Sequence, residues 1–140
     1  MTAKEQIRDC RNELVMIADE IKNSSDINHL IDNNLEMRQR QFYIQEMESK
    51  AYSDLMTARG ARELFEKTTY LDKLSEMSAN KAEIIAKAEA QKMKALENML
   101  EAEHNDWKGL RFTVDSFCDA AQQKIAALRK EHEVESMRQN

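Results

Sequence analysis

A chain of 140 residues has room for one domain, and 41% of its residues are hydrophobic against 34% charged. A mean hydropathy of −0.76 is low for a thick core, and a formal charge of −5 gives no support to nucleic-acid binding by bulk attraction. Proline is absent and glycine occurs only at Gly60 and Gly109, which excludes the glycine-rich loops of most phosphate-binding and hydrolytic sites.

The same shortage of breakers predicts an all-α fold of long amphipathic helices, packed as a helical bundle with coiled-coil-like seams. Helices with one apolar stripe each bury it on one another or on further copies of the chain, so a homo-oligomer is expected. Charge is spread evenly: residues 1–70 carry 10 basic and 13 acidic side chains, residues 71–140 carry 11 and 13. The whole of 1–140 reads as a single helical domain, with an N-terminal helical hairpin over 1–60 and a long helical region over 61–140.

The first helix is the best signed. Thr2-Ala3-Lys4-Glu5 fits a capping box, and Ile7, Cys10, Leu14, Ile17 and Ile21 follow at spacings of three and four. Asn23-Ser24-Ser25-Asp26 ends it, because these side chains compete for backbone hydrogen bonds. A second helix is predicted from Asp26 or Ile27 to about Ala58, stopped by Arg59-Gly60. Ala61 to Thr69 reads as a short helix or an irregular linker. From about Tyr70 the pattern is helical again, with a kink or loop expected near His104-Asn105-Asp106.

Trp107, Leu110, Val114, Phe117, Ala121, Ile125 and Leu128 form the strongest apolar stripe, and Gly109 lies within it. Two readings of the stripe stay open: packing inside the chain, or self-association through this face. Methionines such as Met37, Met47 and Met99 read as core filler more readily than as an adaptable binding surface. Cys10 and Cys118, each beside an apolar stripe, read as buried free thiols in a reducing cytosol. No leader and no run of about 18 apolar residues is evident, so a cytoplasmic protein without a membrane span is expected.

Sites for chemistry are scarce. His29, His104 and His132 have only scattered glutamates nearby, with no Cys-x-x-Cys or His-Glu-x-x-His, so neither a metal nor another cofactor is expected. No nucleophile elbow, Walker loop or dinucleotide fingerprint occurs, and the carboxylates read as a solvated helix face; an enzyme is not expected. Basic and aromatic residues interleave at Arg38, Arg40, Phe42, Tyr43, Lys50, Tyr52, Arg59 and Arg62, the residue types that track and stack on single strands. Glu36, Glu46, Glu48, Asp54 and Glu63 lie among them and nearly cancel the charge.

That stretch, Lys50-Ala51-Tyr52-Ser53-Asp54-Leu55-Met56-Thr57-Ala58-Arg59-Gly60, resembles a segment of the UvsY-like recombination mediators of tailed phages. Trp107-Lys108-Gly109-Leu110 through Asp115-Ser116-Phe117-Cys118, Ala120-Ala121 and Lys124-Ile125 is similar to a second part of that family's pattern. The resemblance implies a non-enzymatic protein that binds single-stranded DNA as a ring-like homo-oligomer. It further implies help in loading a RecA-type recombinase onto DNA coated with single-strand-binding protein, in a phage-infected or prophage-carrying bacterium. Lys50 and Arg59 would contact DNA, with Tyr52 standing where the family has an arginine, and Arg38 and Arg40 joining the ring. The Trp107–Leu128 stripe would carry oligomerisation. The rival reading is a helical protein-binding adaptor or scaffold, such as a phage regulatory or anti-defence factor, with no DNA binding.

Overall fold

A computed structural model describes residues 1–139, and these are almost wholly helical. Four α-helices follow in order: α1 (Ala3–Asn23), α2 (Ile27–Leu74), α3 (Ala79–Ala90) and α4 (Lys94–Gln139), with a 3-10 turn over Gln91–Met93 between the last two. No strand occurs among the described residues.

Local chemistry sets most of the ends. The Thr2 hydroxyl accepts from the Glu5 backbone N–H at 3.2 Å while the Glu5 carboxylate accepts from the Thr2 N–H at 3.0 Å, the reciprocal capping box the sequence predicts. Asp26 starts α2 by accepting from the Asn28 N–H at 3.0 Å. Ser78 caps α3 through the Lys81 N–H at 3.4 Å. At the other end of α1, the Lys124 ammonium donates to the carbonyls of Ile21 and Lys22 at 2.6 and 2.9 Å, satisfying acceptors that the helix leaves open.

Two expected breaks are absent. α2 runs for 48 residues straight through Arg59-Gly60 and the segment 61–69, and α4 runs for 46 residues through His104-Asn105-Asp106. Neither glycine has positive φ, and an added Cβ at Gly60 or Gly109 meets no atom within 4 Å. A glycine inside a helix costs only about 1 kcal/mol relative to alanine, which buried positions on both sides of Gly60 outweigh. The break that does occur lies between Leu74 and Ala79, where the Met77 N–H closes a turn on the Lys73 carbonyl at 3.1 Å and Ser78 begins the next helix. Gly60→Ala and Gly109→Ala should therefore each raise stability, by up to about 1 kcal/mol in urea titrations; a loss at Gly60 would show a bend there.

The chain divides into two compact units, and α2 and α4 each lend a segment to both. Unit 1 holds Met1–Met47 and the chain from Asp106 onward. Its core takes Ile7, Cys10, Leu14, Ile17 and Ile21 from α1, Leu30, Met37 and Ile44 from α2, and Trp107, Leu110, Val114, Cys118, Ala121 and Ile125 from α4. This is a three-helix bundle, with each stripe buried by the other two. The short link over residues 24–26 makes α1 and α2 antiparallel neighbours.

Unit 2, Glu48–Asn105, is a helical hairpin of the C-terminal part of α2 against α3, the 3-10 turn and the start of α4. Its buried apolar side chains are Ala51, Leu55, Ala82, Ala86 and Ala90, joined by the polar Thr69 and Glu97. Four of those five apolar residues are alanine, so the seam is thin.

Candidate functional site

The residues expected to contact DNA are divided between the two units, and within unit 2 Lys50 and Arg59 do not share a face of α2. Lys50 and Arg59 both lie on α2 in unit 2, but nine residues at roughly 100° each put them about half a turn apart around the helix. Lys50 is exposed and has no ion pair among the described residues. Arg59 points the other way, into the hairpin seam, where its Nε lies 3.1 Å from the Glu97 carboxylate and its Nη2 lies 3.5 Å from Glu101. Tyr52 is half exposed, its ring tilted at 53° against His104 with 5.4 Å between centroids.

Arg38 and Arg40 belong to unit 1, and both already have partners. Arg38 donates to the Gln41 carbonyl oxygen at 3.0 Å, and the Gln41 amide donates to Asp115 at 2.7 Å, tying α2 to α4. Arg40 pairs with Glu13 of α1 at 2.8 Å. Four of the five residues are thus engaged inside the chain, leaving Lys50 as the free cation among them.

The C-terminal stripe is likewise turned inward. Trp107, Leu110, Val114, Ala121 and Ile125 are buried within unit 1, while Phe117 and Leu128 are half-buried at its edge. The Trp107 indole meets the Tyr43 ring edge-on, with centroids 6.1 Å apart and planes at 81°. Of the two readings open for this stripe, packing inside the chain is the arrangement found. Phe117 alone reaches a groove of about 400 Å³, lined also by Val15, Ala18, Ile21 and Ala120.

A buried carboxylate is a polar feature that spacing did not reveal. Glu97 is 2% exposed, yet it accepts from Arg62 Nε at 2.5 Å and Arg59 Nε at 3.1 Å, with Lys94 Nζ at 3.4 Å. The Arg62 hydrogen bond holds the titration of the Glu97 carboxyl below the usual carboxylate range, reinforced by Arg59 and Lys94 and opposed by burial. Its place in the register was available as a signal, since Ala90, Glu97 and His104 recur every seven residues along the face that turns toward α2.

Other reactive groups are structural in setting. Burial pushes both the Cys10 and the Cys118 thiol above their ordinary values, against the opposing fields of Arg40 and Arg38. A cleft of about 560 Å³ in unit 2 is lined by Glu63, Glu66, Lys67, Tyr70, Glu83 and Ala86. Two of its three carboxylates already face cations, Glu83 at 2.9 Å from Lys87 and Glu66 at 3.8 Å from Arg62. Among the described residues no three His, Cys, Asp or Glu side chains converge as a metal site would need, and no helix is long and apolar enough to cross a membrane. No family model, curated protein or solved structure matches the chain.

Proposed function

We propose that this chain is a non-enzymatic helical adaptor that works by binding protein through apolar surface on its helices. One observation carries the reading. In unit 2, Leu64, Leu71, Ile84, Leu96 and Met99 are each more than half exposed, around a seam whose buried apolar side chains are mostly alanine. A hairpin that leaves most of its large apolar groups outside, over a seam built mainly of alanine, is shaped for a partner rather than for isolation. The engagement of Arg38, Arg40 and Arg59 with groups of the same chain removes most of the cations that a single-stranded DNA face would need.

A salt titration of labelled oligo-dT decides between this reading and the recombination mediator that the sequence resembles. No saturable binding is expected even at low ionic strength. Saturable binding that falls steeply with salt and is lost in Lys50→Glu would favour the mediator, because Lys50 is the cation left free to meet a phosphate.

A further inference from the structure

We infer that unit 2 pairs with a second copy of itself, antiparallel, through the back of its α3–α4 arm. This rests on the adaptor reading and names one partner for its exposed apolar surface. The backbone at Ala90, Gln91 and Lys94 stays in the right-handed helical region, so the arm continues across the 3-10 turn as one helical rod. On the side away from the buried Ala82, Ala86, Ala90 and Glu97 run Ile84, Ala88, Ala95, Met99 and Ala102, all exposed. Ile84 and Met99 are 68% and 60% exposed, high values for the two bulky residues of a single stripe.

The order of sizes along the stripe is self-complementary. A two-fold axis through Gln91 and Lys92 sets Ile84 of one copy against Met99 of the other, and Ala88 against Ala95. Large meets large at the ends and small meets small near the middle, where two helices need room to approach. The same axis brings Lys81 close to Glu103 of the second copy, twice by symmetry, and neither residue has an ion pair within the described chain. Lys92 falls beside the axis, where its long stem lets the ammonium reach water. A second copy is thus favoured by both shape and charge, and it would supply the apolar contact that the thin hairpin seam lacks.

The stripe from Lys81 to Glu103 is roughly 33 Å long at ~1.5 Å per residue, which makes the contact a small one. A monomer–dimer equilibrium in about the micromolar range is expected, read by sedimentation velocity over a concentration series. Ile84→Glu with Met99→Glu should weaken the dimer at least about tenfold while far-UV circular dichroism and Tm stay near the parent values, since both side chains are exposed. In an oxidising mixture, Ala88→Cys protein should cross-link to Ala95→Cys protein faster than either does to itself, with Cys10 and Cys118 protected by burial. A chain that stays monomeric at all concentrations overturns the pairing and leaves the adaptor reading to the oligo-dT titration. A dimer that survives Ile84→Glu with Met99→Glu but is lost in Leu64→Glu with Leu71→Glu places the interface on α2 and overturns it equally. Preferential Ala88→Cys self-linkage contradicts the antiparallel register.

Discussion

Trp107→Ala should lower the stability of the chain by about 3–5 kcal/mol and its Tm by roughly 10 °C or more. The indole is 1% exposed in the core of unit 1, so truncation removes the largest buried side chain and leaves a void that the surrounding helices fill only in part. It also removes the edge-on contact with Tyr43, of the kind worth about 0.5–1.5 kcal/mol beyond the area buried. Trp107→Phe keeps a ring in place and should lose less. Urea unfolding followed by far-UV circular dichroism measures both, because the chain has one tryptophan and fluorescence would vanish with it. Light scattering of Trp107→Ala adds a separate readout. Unchanged mass is expected, since the side chain faces its own core; a lower mass with intact helicity would restore this stripe as the contact between copies.

How much the sequence revealed depended on whether the deciding interaction was local. α1 was legible in full: Thr2 and Glu5 cap it, and Ile7, Cys10, Leu14, Ile17 and Ile21 are all buried as their spacing predicts. Gly60 misled because glycine marks a helix end only where φ turns positive, and tertiary packing kept it helical. The true break at residues 75–78 has neither glycine nor proline, and it falls inside the stretch from Tyr70 that periodicity reads as helical. Periodicity showed that the stripe beginning at Trp107 would be covered; it could not say by what, since that depends on α1 and α2 converging on it from far along the chain. For the candidate site, what sequence spacing left out was direction. Lys50 and Arg59 are close in sequence, but nine residues of helix aim them to opposite sides, one at solvent and one at Glu97.

Glu97→Gln should destabilise the chain at neutral pH more than Glu101→Gln, whose carboxylate is the exposed outer partner of Arg59, and the difference should shrink as pH falls. At neutral pH the Glu97 carboxylate is where Arg59, Arg62 and Lys94 converge, with Glu101 and Glu66 at 3.5 and 3.8 Å from the arginines on the outside. An amide can accept a hydrogen bond in the same place but carries no charge, so three partly exposed cations would face one another around a buried group that no longer neutralises them. The pH dependence has a definite sign. The folded carboxyl titrates below its ordinary value, first because Arg62 donates to it, so the unfolded chain takes up the proton more readily than the folded one. Its stabilising effect is therefore complete above the ordinary carboxylate range of about 4.3 and is lost as pH drops through the lowered folded value. Melting curves of the parent and Glu97→Gln from pH 7 downward should converge at the acid end. Curves that stayed parallel throughout would mean that the carboxylate's charge contributes nothing and that the site matters only through its shape. A loss at neutral pH partly recovered by adding Arg62→Met would locate the penalty in the unpaired cations, because removing both partners of a buried pair costs less than removing one. Glu97 would then hold α2 and α4 in register across a hairpin whose alanine seam offers few other contacts to set it.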